Sequence, residues 1–467
     1  MDRIKSLKPY FKISDMNSRQ KVIIIGSYCL SSIIILYFML ARGPYDYNSY
    51  LVAGWALREG EPSAIYSSID TPNSNGNYYI INNNKSWQSI VDRDLKKNTS
   101  VPAYLYPPPC AVLFISFTYI NRIIGILAWR FLCLIAYMLG IILLLSLLQI
   151  NINKVVFHIL FVLTIISPPI LFALDLGQLT PLIFLSIAGG LWFISNDYQN
   201  ESGICLAIGT VLKITPIIFM PWLIARKKYK AIKSYCISIL LIGLITIPIT
   251  GFNLNLDYIH HVIPILSRGV NMRSNVSFES ILANKLHIGD PIKGEILPNN
   301  HELYILKNIF YAIIVLVTVT VLIYGWKIVS FLSLINEYSL INVVALLLSP
   351  ITWGHHLMLV WVSIIPLLCV FNIKDNKYLL ASTILSYILI IQDQGLPGTL
   401  FNNNMGTILS FVGLLILWIV MLIVVWMPRR NLKSRLSSQL SFHGKEGTYQ
   451  PLDYRSSSQP IIGGKVY

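Results

Sequence analysis

Apolar runs long enough to cross a bilayer recur along most of this chain, and nothing constrains its fold more. The first, residues 21–41 (KVIIIGSYCLSSIIILYFMLA), is about 20 residues long, the length of one helical crossing. Further runs lie near 123–148, 155–173, 179–195, 203–225, 232–250, 305–329, 338–351, 356–372, 378–392 and 406–427. Only 12% of the 467 residues are charged, against roughly 25% in soluble domains. The chain reads as an all-α polytopic membrane protein. Its first run outlasts the core of a signal peptide, roughly 7–15 residues, so it reads as a retained span.

The net charge of +15 invites a nucleic-acid reading, but its placement argues against one. Basic residues gather ahead of the first span, in RKKYKAIK (226–233), and in RRNLKSR after the last span. Basic flanks mark the cytoplasmic side of spans, and anionic headgroups attract them. The six cysteines lie mostly inside apolar runs, without CxxC or paired spacing. They point to neither a disulfide framework nor a zinc site.

Two segments leave the topology open. YPPPCAVLFISFTYI (106–120) is short and opens with three prolines, and the run 203–225 is broken by LKITP, where Lys213 and Pro216 interrupt the helix. With the first segment interfacial and the second folded as two short legs, about 12 crossings result. Both termini are then cytosolic. The outer face receives the long loops 42–120 and 251–304, the 174–178 turn, SPITWGHH (349–356) and 392–404. The opposite choice also keeps the basic clusters inside, so charge does not decide between them. The expected division is a cytosolic basic N-terminus (1–21), a transmembrane domain (22–427) and a flexible Ser- and Gln-rich cytosolic tail (428–467).

Polar and aromatic groups collect on the expected outer side. In GPYDYNSYLVAGWALREG (43–60), Asp46 follows a span and precedes an aromatic helical face that includes Tyr50. It reads either as a helix N-cap or as a carboxylate that takes a proton from a substrate hydroxyl. Tyr106 precedes the prolines, and Gln178 follows Gly177 in LDLGQLTP, a tight turn by itself. Lys213 is an ionisable group in an apolar run, which marks a cavity or a snorkelling side chain. His355 and His356 head a span after a proline turn and Trp353. Adjacent helical residues point about 100° apart, which suits one shared metal ion poorly. The stretch 267–286 supplies Arg268, Arg273, Asn275 and Glu279. It suits a polar surface loop or a source of positive charge for a phosphate.

The order of these pieces carries more than any one of them. A span and Asp46 in an aromatic helix, then YPPP, LGQ, GICLAIGTVLKITPIIFMPWLIARKKYKA, NVSFESIL and SPITWGHHL together resemble the DUF2029 group, the GT87 branch of the GT-C glycosyltransferases. The resemblance runs from about residue 20 to 427, and its most specific part pairs the LK-x-x-P break with SP-x-x-W-x-HH. It implies a bundle of about 12 helices and a donor in which a polyprenyl phosphate carries a mannose-like hexose or arabinofuranose. The acceptor is a glycan or glycolipid at the outer face of a bacterial cytoplasmic membrane.

The resemblance further implies Asp46 as general base and His355 or His356 at the donor phosphate, with Lys213 and Arg268 as further positive charge. Tyr50, Tyr106, Gln178, Asn275 and Trp353 are expected to line the substrate cavity. No cofactor is expected. Gly354 stands where many relatives carry an acid, so a divalent metal is optional. A transporter or lipid flippase without chemistry is the alternative of another class; it predicts polar groups at mid-membrane in broken helices.

Overall fold

The hydropathy pattern is realised almost wholly as helix, and helix length sorts the elements into two kinds. The computed structural model describes residues 16–40, 44–66, 82, 84–95, 101–148, 154–292, 294–325, 331–368, 376–393 and 404–426. Along the chain, α1 (Ser18–Leu40) is followed by α2 (Tyr45–Arg58), α3 (Lys85–Asp94) and α4 (Pro108–Ile115). Next come α5 (Arg122–Ser146), α6 (Lys154–Ile165), α7 (Pro168–Leu176), α8 (Thr180–Ser195) and α9 (Gln199–Leu212). A 3₁₀ turn, Thr215–Ile218, leads into α10 (Phe219–Ala225) and α11 (Tyr229–Thr250). Short helices α12 (Phe252–Asp257) and α13 (Ile263–Arg268) then precede β1 (Val270–Asn271), α14 (Phe278–Lys285) and β2 (Glu295–Ile296). Finally α15 (His301–Gly325), α16 (Phe331–Leu347), a 3₁₀ segment Gly354–Val360, α17 (Trp361–Leu367), α18 (Lys377–Ile390) and α19 (Asn404–Trp426) complete the described chain.

Five of these, α1, α5, α11, α15 and α19, are long and apolar enough to cross a membrane, and the α6–α7 pair makes a sixth candidate. The expected single span at 155–173 is thus two helices bent by 40°. The bend follows from Pro168, which opens α7 where its missing N–H is harmless. The long helices leave large apolar side chains uncovered, such as Ile245 and Leu316, each 68% exposed, as lipid contact requires. The chain is therefore an all-α integral membrane protein, with β1 and β2 pairing antiparallel as a small ribbon.

Of the shorter apolar helices, α8, α16 and α17 pack inside. Every residue of α16 from Ser333 to Leu347 is buried, as befits a helix apolar on all sides. Its polar groups are spent on neighbours. The Asn342 amide donates to the Leu359 carbonyl at 2.9 Å and to Ser363 at 3.1 Å. Glu337 receives the Arg226 guanidinium through both oxygens, with the Trp222 indole N–H at 3.1 Å and Ser333 at 3.2 Å.

Helix α2 lies across α4 at a separation only glycine permits. A Cβ on Gly54 would stand 2.8 Å from the carbonyl carbon of Phe114. One compact unit extends through Val425. The expected tail, 428–467, lies outside the described residues, as does all but 16–21 of the basic N-terminus.

Candidate active site

The site assembles where five separate segments meet. Proline sets its first wall: Pro44 leads into α2, whose first turn carries Asp46, with Tyr50 one turn further on. Asp46 makes no side-chain cap, so its carboxyl is left for other work. It is half-buried, whereas Tyr50 is fully buried. The Tyr104–Tyr106 segment ahead of the prolines stacks on α2. The rings of Tyr50 and Tyr106 meet edge-on at 4.9 Å.

The second wall is the turn after α7. Gly177 ends the helix in the left-handed region, φ 71°, a conformation that favours glycine. The next residue, Gln178, is buried, and its Oε1 accepts from the Tyr50 hydroxyl at 3.0 Å and the Tyr106 hydroxyl at 3.1 Å. Its side chain also favours the ionised form of the Asp46 carboxyl. Helix α5 holds this turn from behind: the Trp129 indole N–H donates to the Gly177 carbonyl at 2.8 Å, the Cys133 thiol to the Gln178 carbonyl at 3.3 Å, and Arg130 to the Asp175 carbonyl.

The break after α9 brings in the cation. Lys213 leaves the helix with extended backbone, because Pro216 cannot continue it. Its Nζ stands 5.9 Å from the centre of the Tyr106 ring, and the side chain acts electrostatically on Asp46. It is hydrogen-bonded to Nε2 of His356. The opposite ring nitrogen, Nδ1, accepts the Trp353 backbone N–H at 3.1 Å. His355 packs edge-on against His356, ring centres 4.4 Å apart, and beside Phe172 at 6.0 Å. It is 2% exposed, and neither of its ring nitrogens has a hydrogen-bond partner among the described residues. A buried imidazole with both nitrogens unspent is costly unless something else meets it.

Burial pushes the Asp46 carboxyl up to about 6, against the opposing pull of Gln178 and Lys213. An acid of that strength is ionised at neutral pH, yet basic enough to take a proton. Among the described residues no group of three or more His, Cys, Asp or Glu is placed to hold a metal ion.

Asp46, Tyr50, Tyr106, Gln178, Lys213, His355 and His356 are therefore brought together. Trp353 contributes its backbone N–H to His356. Asn275 is placed differently from a substrate ligand, because its side chain is spent on backbone. Its Oδ1 accepts from Thr352 at 2.8 Å and Ser277 at 3.2 Å, while its Nδ2 donates to the Val270 carbonyl at 2.8 Å. It pairs with Trp353 as an isolated bridge and fixes the strand leading to the histidines. Arg268 ends α13 and is half-buried.

The residues that sequence reasoning passed over are Trp129, Arg130 and Cys133. Arg130 carried a usable signal, being an ionisable group inside the apolar run AWRFLC.

A polytopic helical membrane protein that gathers a carboxylate, a lysine and two histidines from distant segments has the makings of an enzyme. The family model of glycosyltransferase family 87 matches residues 104–350, more than half of the chain, and the chain belongs to that family. It is thus a glycosyltransferase by class. The matched segment includes Tyr106, Gln178 and Lys213, while Asp46 and the histidine pair lie on either side of it. No curated protein matches the chain, and no solved structure does.

Proposed function

We propose that this enzyme moves a sugar, a mannose-like hexose or arabinofuranose, from a polyprenyl-phosphate donor to a glycan or glycolipid acceptor, with inversion at the sugar carbon. The observation that carries the reading is the meeting of Asp46 with Lys213, His355 and His356. A base and a set of groups suited to an anion are brought together from segments far apart in sequence.

In one displacement the acceptor oxygen bonds to the anomeric carbon as the carbon–phosphate oxygen bond breaks. Asp46 takes the hydroxyl proton, and polyprenyl phosphate leaves with the bonding electron pair. The anomeric centre gains oxocarbenium character on the way. Lys213, His356 and the unspent nitrogens of His355 compensate the departing phosphate, with Arg268 completing the positive charge at the cavity mouth. Tyr50, Tyr106 and Trp353 bound the sugar. One base and a monophosphate leaving group need no divalent metal and no cofactor.

In this reading residues 22–427 form a GT-C-type catalytic domain of about 12 crossings, once the short helices are counted with the long ones. The cavity opens to the exterior of a bacterial inner membrane and both termini are cytosolic. The orientation follows the basic clusters flanking the spans.

The test is release of free polyprenyl phosphate from host lipid extracts by detergent-purified wild type and Asp46→Asn. Asn keeps the shape and cannot act as base. Release by wild type alone, with the variant folded, supports the reading. Equal release removes Asp46 from the chemistry, and no release by either across a set of donors and acceptors favours transport without chemistry.

A further inference from the structure

Helix α8 begins with hydrogen-bond donors that the protein itself leaves unmet. The turn before it spends its own: the Gly177 N–H reaches the Leu174 carbonyl at 3.3 Å, and the Gln178 N–H the Ala173 carbonyl at 2.9 Å. Beyond it, the Leu182 and Ile183 N–H groups both turn back onto the Leu179 carbonyl, at 2.9 and 3.3 Å. Between these pairs stand the N–H groups of Leu179 and Thr180, which have no hydrogen-bond partner among the described residues. Neither has the Thr180 hydroxyl. Leu179 and Thr180 are 0% and 1% exposed, and buried polar groups are nearly always paired. Pro181 brings no N–H, so the set of donors closes at Thr180.

The surroundings of this turn are cationic or unspent as well. Helices α8 and α9 run antiparallel: the Ser202 hydroxyl donates to the Gly190 carbonyl at 2.9 Å, and the Ser186 hydroxyl to the Cys205 carbonyl at 2.7 Å. Gly209 lets the two come together, because a Cβ there would run into Ser186 Oγ. Carried on along the pair, the same register sets Lys213 opposite the start of α8. The Gly354–Val360 segment also packs against α8, and in it His355 is buried with both ring nitrogens unspent among the described residues. The first turn of α8 carries no acidic side chain and Leu179 gives it no cap.

We propose that the start of α8 is an oxyanion site: the Leu179 and Thr180 N–H groups and the Thr180 hydroxyl bind phosphate oxygens, with Lys213 as the neighbouring charge. Its role toward the departing polyprenyl phosphate rests on the sugar-transfer reading above. The macrodipole of a 16-residue helix favours an anion at this end. Backbone donors fixed in advance need no rearrangement as negative charge grows on the phosphate. The Thr180 hydroxyl adds the donor that Pro181 lacks. Thr180 is thus a phosphate ligand beside His355, His356 and Lys213.

The experiment uses the full-length enzyme in lipid nanodiscs with farnesyl phosphate as probe, and farnesol and inorganic phosphate as the other arms. Isotope labelling of leucine carbonyls and threonine nitrogens makes only Leu–Thr steps visible by NMR, and the chain has two, 163–164 and 179–180. Thr164 lies inside α6 and serves as the internal control. Farnesyl phosphate should move the Thr180 amide proton downfield and leave Thr164 in place, whereas farnesol should move neither. In Thr180→Val, which keeps the shape and loses the hydroxyl, calorimetry should show farnesyl phosphate bound about tenfold more weakly, and Thr180→Ser should restore the affinity.

A Thr180 signal that stays in place when calorimetry shows farnesyl phosphate to be saturating overturns the proposal, whether or not any variant folds. Failure of farnesyl phosphate to bind, or wild-type affinity in Thr180→Val, overturns it too. An equal response to inorganic phosphate at the same concentration assigns the site to free phosphate and overturns the lipid-linked source. None of these measurements needs turnover. A moved Thr180 amide without polyprenyl phosphate release from any donor would therefore sink the transfer reading and keep the site.

Discussion

The contact between α2 and α4 offers a perturbation whose size follows from the coordinates. Gly54 on α2 faces the backbone of α4: an added Cβ would lie 2.8 Å from both the carbonyl carbon and oxygen of Phe114, and 3.1 Å from the Ile115 nitrogen. Carbon atoms settle at about 3.5–4.0 Å, so Gly54→Ala must part the helices by roughly 0.7–1 Å. Backbone atoms are on the receiving side, and no flexible side chain can swing away.

Overpacking of this kind costs about 1–3 kcal/mol. Alanine returns about 1 kcal/mol through its better helix propensity. The net stability loss is then about 0–2 kcal/mol, a poor readout. Position is the better one. Asp46 and Tyr50 ride on α2, while Tyr106 leads into α4. A misplacement of about 1 Å is enough for a loss on the order of 100-fold in turnover.

The assay is polyprenyl phosphate release by detergent-purified enzyme, with thermal unfolding measured on the same samples. Gly26→Ala on α1, whose Cβ would meet nothing within 4 Å, is the control and should leave turnover intact. Wild-type turnover in Gly54→Ala would show that α2 and α4 do not touch in this way, and the reasoning about the Asp46 wall would fall with it.

Further predictions concern buried charge. Glu337→Ala strips Arg226 of the carboxylate that receives it through both oxygens; the loss should be about 3–5 kcal/mol, visible as a clearly lower unfolding temperature in detergent, and an unchanged one would contradict the packing. Burial pushes the Glu279 carboxyl up to about 7 from 4.5, against a hydrogen bond from Tyr311. The native state therefore holds more protons than the unfolded one between those values, so this group's contribution to stability falls as pH rises from about 4.5 through about 7. Glu279→Gln should be more stable than wild type at pH 8 by up to about 3 kcal/mol and little different at pH 4, with thermal melts at the two pH values as the check. Gly177→Ala meets both a positive φ of 71° and the Tyr47 side chain at 2.8 Å; it should lower the unfolding temperature and abolish turnover together, and normal turnover would show the turn can rebuild elsewhere.

Much of the site is legible in the sequence because its groups break local rules. Lys213 interrupts an apolar run next to a proline, Asp46 follows a span where no cap demands an acid, and the histidine pair follows a proline turn. Each violation costs free energy, and so draws attention without any coordinates. What sequence periodicity does not carry is which violations meet. The contact of Lys213 with His356 bridges residues 143 apart in sequence, and nothing local encodes it. Asn275 shows what loop position leaves open: a polar residue there looks available for substrate, and its hydrogen bonds go to neighbouring backbone. Trp129 and Cys133 look like ordinary core residues, and their work on the 177–178 carbonyls is visible only once α7 is laid against α5.

The division between long and short helices bears on how the protein enters its membrane. Segments such as Thr215–Ala225 and Gly354–Leu367 are shorter than the roughly 20 residues a translocon passes sideways into lipid as a stable unit. The neighbouring Lys213 opposes that transfer further, by about 2.5–3.5 kcal/mol at mid-bilayer on the insertion scale. The long helices α1, α5, α11, α15 and α19 have the length to partition as they emerge, α5 despite Arg130. Catalytic groups on the short segments then reach lipid depth only by folding against helices already inserted. The order of synthesis thus leaves Lys213 without its His356 partner until the chain is about three-quarters made, and assembly of the candidate site becomes a late, post-insertion event.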